Sequence, residues 1–298
     1  MRFGVLRLAF AALVAAMVAF VPAAEAKKLY AATAHETAEG HGAGVLYVVD
    51  PANGRSRLVG PIRIDGIESV QVDGLAVHPK TGTLYGITSD KTGEPRLITI
   101  DPRSAQAKAI GALGARGADI QFDDSGKLYT WILNTSRLGV VDLETGRVKA
   151  LAKTDIPPSR TAGLAINAQG LAIVAARVSK GVLDEVDPAT GSVVGGLALI
   201  DASIINAVNA LALAPGGALF AVNTAREGRT KRELVSIDTE TGSVTKIGAL
   251  PDNVDALAFD HDPREAPRRS KLGLFLFMLT VFVLLNVVGW YRWRKPAS

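Results

Sequence analysis

Leu234-Val-Ser-Ile-Asp238-Thr-Glu-Thr-Gly242 is a run of alternating apolar residues that stops at an acidic turn. The same phrase occurs upstream as Leu46-Tyr-Val-Val-Asp50, Leu97-Ile-Thr-Ile-Asp101, Leu138-Gly-Val-Val-Asp142 and Leu183-Asp-Glu-Val-Asp187. Alternation of period two marks a half-buried strand, and Asp before small polar residues and Gly marks a tight hairpin. A second phrase lies between these copies: Asp73-Gly-Leu-Ala-Val77, Ala118-Asp-Ile-Gln-Phe122, Ala162-Gly-Leu-Ala-Ile166, Asn209-Ala-Leu-Ala-Leu213 and Asp255-Ala-Leu-Ala-Phe259. Its copies are 45, 44, 47 and 46 residues apart. One such unit cannot bury its own apolar faces, whereas a closed ring of them can. A period in the forties made of short strands therefore specifies an all-β fold, a β-propeller.

Each unit reads as four strands, A to D from the axis outward. In the second unit these are Val72–Val77, Thr83–Thr88, Arg96–Asp101 and Ala107–Gly111. The last A strand, Asp255–Phe259, has no B, C or D after it. The first strands, Lys28–Ala34, Gly44–Asp50 and Ser56–Pro61, have no A before them. Joining them gives five blades, the ring being closed by the N- and C-terminal strands so that no sheet edge is left open. A six-bladed ring needs a sixth unit, and the sequence has none.

The two ends carry a different message. Arg2 and Arg7, the apolar run Leu8–Val21 and Ala24-Glu-Ala26 form the three parts of a secretory signal peptide over residues 1–26. Residues 27–262 are assigned to the propeller, and 263–271 to a basic linker. Residues 272–290 are an apolar run of 19, and 291–298 a short basic tail. At 1.5 Å per residue that run just crosses a hydrocarbon core of about 30 Å. Trp290, Tyr291 and Trp293 stand where an interfacial aromatic belt belongs. The expectation is a single-pass type I protein of a bacterial cell membrane, with the propeller on the periplasmic or extracytoplasmic side. An uncleaved N-terminal anchor, and a C-terminal sorting signal in place of a retained helix, are the alternatives left open.

The net charge of +4 belongs to these ends. Residues 27–262 hold 24 Lys and Arg against 27 Asp and Glu. No basic stripe with interleaved aromatics occurs, so a nucleic-acid partner is not expected. The chain has no Cys, which excludes disulfides, thiolate metal sites and cysteine nucleophiles.

The Leu-Ala phrase, the Gly-x-Leu-Tyr starts at Gly82-Thr-Leu-Tyr85 and Gly126-Lys-Leu-Tyr129, and the Val-Asp-x-x-Thr-Gly hairpin resemble the YVTN, NHL and quinoprotein-type bacterial propellers. The resemblance covers roughly residues 28–262 and speaks to fold, because these motifs build blades.

Several residues are candidates for function. Strand A lines the channel, and its first residue stands at the mouth. Asp73, Asn209 and Asp255 share that position, Ala118 and Ala162 fill it in the other blades, and Asp119 follows one residue on. Such oxygen donors suit Ca²⁺ or another hard cation. In SMP-30 and paraoxonase-like propellers a metal at this place supports hydrolase chemistry, so the resemblance implies a lactonase-like alternative. Against it stands the ordinary reading, that these side chains bond neighbouring loops and water. The B–C loops on the same side differ most between blades, as recognition loops do. One carries His35 and His41, spaced too widely for one helical face. Another carries Arg226, Arg229, Lys231 and Arg232, a surface for an acidic partner or lipid headgroups. Joint replacement of those four by Ala is expected to weaken partner capture without lowering the melting temperature. Asp184 and Glu185 interrupt an apolar strand; one of the two carboxylates is expected near a blade interface, paired with Arg177 or Lys180. The five hairpin aspartates are read as caps of their own turns. The leading functional expectation is a non-enzymatic module for a protein, peptide or glycan of the envelope.

Overall fold

The computed structural model describes residues 28–34, 44–64, 67, 69–89, 93–159, 162–176, 181–201, 205–214, 217–226, 228 and 230–260. In chain order the strands are β1 (Leu29–Thr33), β2 (Val45–Val49), β3 (Ser56–Pro61), β4 (Arg63–Ile64), β5 (Val72–Val77), β6 (Leu84–Thr88), β7 (Arg96–Ile100) and β8 (Gln106–Ala112). Then come β9 (Gly117–Phe122), β10 (Leu128–Ile132), β11 (Arg137–Val141), β12 (Val148–Lys153), β13 (Leu164–Ile166), β14 (Ala172–Val174), β15 (Val182–Val186) and β16 (Val193–Ala198). The last are β17 (Val208–Leu213), β18 (Leu219–Thr224), β19 (Arg232–Ile237), β20 (Val244–Leu250) and β21 (Val254–Phe259). The described residues contain no helix.

These strands form five sheets, each with an antiparallel four-stranded body, the blades of a propeller. Blade 1 joins the two ends of the chain in the order β21-β1-β2-β3. Leu29 faces Phe259, and Ala31 faces Leu257 across that closure. The innermost strands of blades 2 to 5 are β5, β9, β13 and β17. One strand is absent from the sequence reading. β4 adds to the outer edge of blade 2, with Arg63 in parallel register with Gln106. A two-residue strand has too short a pattern to be read from periodicity.

Apolar residues on both faces of each sheet meet the next blade, and the core falls into five clusters, one at each seam. Leu75, Leu84 and Ile98 of blade 2 pack on Leu46 and Ala256 of blade 1. Trp131 of blade 3 packs with Ala162 and Leu164 of blade 4. This is why the A strands read Leu-Ala: the larger side chain fills one seam and the smaller lets the neighbouring strand approach.

The hairpin aspartates cap their turns, as the sequence implies. Asp142 Oδ1 accepts the N–H of Glu144 at 3.0 Å and of Thr145 at 2.8 Å, and Asp238 repeats the arrangement with Glu240 and Thr241. Four of these turns end in a left-handed Gly, at 54, 146, 191 and 242, with φ between 75° and 77°. In blade 2 the same place is held by Ala105, with φ 58° and the same bond back to the Asp carbonyl.

The A–B turns share a bond from the first turn residue to the strand beyond: Asp123 N–H to Lys127, Asn167 to Leu171, Ala214 to Ala218. In blade 1 that bond runs from Asp260 N–H to the Lys28 carbonyl at 2.7 Å. The first and last described residues thus stand where the other blades have a turn. Below, this end of the ring is the turn side and the B–C end is the loop side. The signal-peptide stretch, the linker and residues 272–290 lie outside the described residues.

Candidate functional site

On the loop side the second residues of β17 and β21 come together. Asn209 Nδ2 donates to Asp255 Oδ1 at 2.6 Å, and Thr224 Oγ1 donates to Asn209 Oδ1 at 2.9 Å. Asp255 also meets Arg232 Nη2 at 3.0 Å, and Arg232 Nε donates to the Val254 carbonyl at 2.9 Å. Asp73 is half-buried and is the second residue of the neighbouring inner strand, β5. The mouth is therefore a polar network in which the Asp255 carboxylate already has a cation and an amide. Among the described residues no three His, Asp or Glu side chains converge as a cation-holding group.

Arg232 corrects one expectation. The sequence grouped it with Arg226 and Lys231 as loop-side surface, but it is 6 % exposed and belongs to the mouth network. Replacing the whole basic group by Ala would remove a buried ion pair as well as a surface. Arg226 is exposed. Lys231 extends into solvent while its ammonium meets buried Asp252 at 3.1 Å. Arg229, His35 and His41 lie outside the described residues.

Asp119 is not at the mouth. It is fully buried one step down the axis, where the other four inner strands have Gly74, Gly163, Ala210 and Ala256. Its carboxylate fills the space those small residues leave. Oδ2 accepts the N–H of Leu164 at 3.0 Å and of Leu211 at 3.1 Å, and Oδ1 accepts the N–H of Ile120 at 2.9 Å. Inner-edge amides have no further strand to pair with, and the carboxylate supplies the acceptor for blades 3, 4 and 5. Burial pushes this carboxyl well above the usual carboxylate range, and the three amides pull it back without cancelling the rise. The axis is crowded here: a Cβ added at Gly74 would come within 2.9 Å of the Asp119 Cα.

The two Ala residues at the mouth also have a cause. Ala118 and Ala162 pack with Trp131, whose indole fills the seam that Ile87, Ala175, Val222 and Ala32 fill at matching positions of the other blades. The indole N–H has no hydrogen-bond partner among the described residues. In the sequence a single Trp inside a strand gave no sign of this coupling.

On the turn side the channel opens into a bowl of about 140 Å³. Val77, Phe122, Ile166, Leu213 and Phe259, the fifth residues of the five inner phrases, all line it, with Asp124 at the rim. Phe122 is held edge-on against His78 at 4.8 Å between ring centres, and Phe259 against Phe220 at 5.1 Å. In blade 4, Asp184 is fully buried while Glu185 is half-buried and accepts from Asn167 Nδ2 at 3.5 Å. The expected partners Arg177 and Lys180 lie outside the described residues.

No family model matches the chain, and no curated protein matches it. Solved structures do. The nidogen/laminin complex aligns at 9 % identity over 78 % of this chain and 98 % of that one, with a TM-score of 0.50. A protein of unknown function from Bacteroides caccae aligns at 12 % identity over 80 % of this chain and 100 % of that one, with a TM-score of 0.49. A putative 6-phosphogluconolactonase from Bacteroides uniformis aligns at 11 % identity over 76 % and 83 %, with a TM-score of 0.45. At 9 % identity the nidogen/laminin likeness is one of fold alone, and it is the sheet order that makes the chain a five-bladed propeller.

Proposed function

We propose that this chain is a non-enzymatic recognition module, exported and tethered to a bacterial cell membrane by residues 272–290. Its ligand is a protein, peptide or glycan of the envelope, bound on the loop side. The observation that carries this reading is the state of the axial polar groups. Asp119 is tied to three backbone amides, and Asp255 to Arg232 and Asn209. These carboxylates hold the ring together, which leaves molecular recognition to the exposed loop side, where Arg226 and Lys231 stand. The targeting segments at both ends of the sequence support the membrane address.

The test places a photo-crosslinking residue at Arg226 on the loop side, and separately at Asp124 on the turn side, in cells making the full chain. A discrete adduct from position 226, absent from position 124, is the expected result. Adducts from neither position sink the recognition reading. Turnover of a lactone or ester panel that EDTA abolishes would replace it with the hydrolase reading.

A further inference from the structure

The two ends of the described chain leave the ring at one place. β21 runs from the loop side to the turn side and ends at Phe259, which lines the axial bowl. Asp260 then bonds to Lys28, the residue before β1, at the site of an A–B turn. The exit point is therefore on the innermost strand, close to the axis, and on the turn side. A tether attached at either end of the chain starts from this same point.

We propose that the turn side of the ring is the membrane-proximal face, tethered near its centre, and that the loop side is held away from the bilayer. The inference rests on the membrane tether proposed above and adds the orientation that the strand topology imposes on it. Between Asp260 and the apolar run there are residues 261–271. At about 3.3–3.6 Å per residue these span at most roughly 40 Å, so the turn side stays within that reach of the bilayer. An inner strand of six residues separates the two sides by about 20 Å.

Charge orders the layers in the same sense. The turn side carries Asp123, Asp124 and Asp260, with the capping aspartates Asp101, Asp142, Asp187 and Asp238 at the C–D hairpins. Backbone amides hold the capping carboxyls below the usual range, so they are ionised at neutral pH. Lys28, Arg55, Lys80, Arg103, Lys127 and Arg147 share this side, and with Asp50, Glu144 and Glu240 counted it keeps a net negative charge that anionic lipid repels only in part. The sequence places Arg264, Arg268, Arg269 and Lys271 between it and the apolar run. Those residues suit the headgroups of the leaflet. The turn side is thus near the membrane without docking flat on it, and the loops meet their ligand unobstructed.

The absence of Cys makes the test direct, since any introduced thiol is unique. Full-length Asp124→Cys and Ala168→Cys on the turn side, and Glu94→Cys and Arg226→Cys on the loop side, are labelled with a fluorescent donor. All four positions are exposed. Each protein is reconstituted into phosphatidylcholine–phosphatidylglycerol vesicles with acceptor-labelled headgroups in both leaflets. Higher energy transfer from both turn-side donors than from both loop-side donors is expected. Equal or reversed transfer, in protein that floats with the vesicles and resists alkaline carbonate, overturns the orientation and leaves the tether standing. Protein that does not float overturns the tether, and this inference with it. Matching melting temperatures of the four variants exclude misfolding as the cause.

Discussion

The Asp119 carboxylate accepts the N–H of Leu211 at 3.1 Å, across 92 residues of sequence. With its bonds to Leu164 and Ile120, one side chain joins the inner edges of three blades. A ring of five sheets must close on itself around amides that face the axis. The other four blades have Gly or Ala at this level, so a single carboxylate has room to serve them.

Removing that carboxylate should create a vacant anion hole. Asp119→Ala leaves three buried amides without their acceptor, at about 1–3 kcal/mol each, so a loss of at least about 3 kcal/mol is expected. Formate should recover part of it, because an anion that binds only the folded ring stabilises by mass action. Thermal melts of the wild type and Asp119→Ala, with formate against matched chloride, check this. A formate shift as large in the wild type as in the variant would refute it.

The pH dependence of stability has two opposed parts. Burial raises the Asp119 carboxyl, so its stabilising share is complete below the unfolded value of about 3.9 and is lost as pH rises through the folded one. The capping carboxyls Asp101, Asp142, Asp187 and Asp238, and the turn residue Asp123, are lowered. Their share is present above about 3.9 and is lost as pH falls through the folded values. Between neutral pH and about pH 5 the wild type should therefore gain stability relative to Asp119→Asn, and below about pH 4 both should fall together. Denaturant unfolding across that range is the measurement. Parallel profiles throughout would contradict the assignment.

Arg226 and Arg232 lie six residues apart in sequence and should behave as different classes. Arg232 bonds Asp255 and the Val254 carbonyl from a buried site, so Arg232→Ala should cost about 3 kcal/mol. Arg232→Lys should recover little, because a single ammonium cannot reproduce the guanidinium fork. Arg226→Ala, at an exposed position, should stay within about 0.5 kcal/mol. Urea unfolding of the three variants decides it, and equal losses from Arg226→Ala and Arg232→Ala would be the contrary result.

The period of the phrases was enough to read the ring, because strand alternation and capped turns are local and recur five times. Closure was legible too, since an A strand without followers matches strands without a leader. The axis was not. Asp119 looks like a mouth residue displaced by one position, but a shift of one along a strand turns the side chain to the other face. Here that carries it from solvent-side chemistry into the packed channel. Arg232 looks like loop because it follows Lys231 and other charges, yet it begins β19 and points inward. Ala118 and Ala162 look like gaps in a ligand ring, and the cause is the bulk of Trp131 in the same seam. Each miss is a tertiary contact without a local signature.

Metal addition discriminates the two functional readings most cheaply. A cation at the mouth would have to displace Arg232 from Asp255 and Asn209 from the same oxygen. Those two contacts oppose a cation there, since Ca²⁺ takes six to eight oxygens of its own. Full-length protein in detergent, treated with EDTA and given Ca²⁺, Mg²⁺, Mn²⁺ or Zn²⁺ singly, should therefore melt at an unchanged temperature. Binding confined to the folded state would raise it in proportion to ln(1 + [L]/Kd). A rise with one ion that Asp255→Ala abolishes, at a position where the variant still folds, would place a metal in the mouth and reopen hydrolase chemistry there. A rise that survives Asp255→Ala would put the ion elsewhere on the ring and leave the mouth as the polar clasp described above.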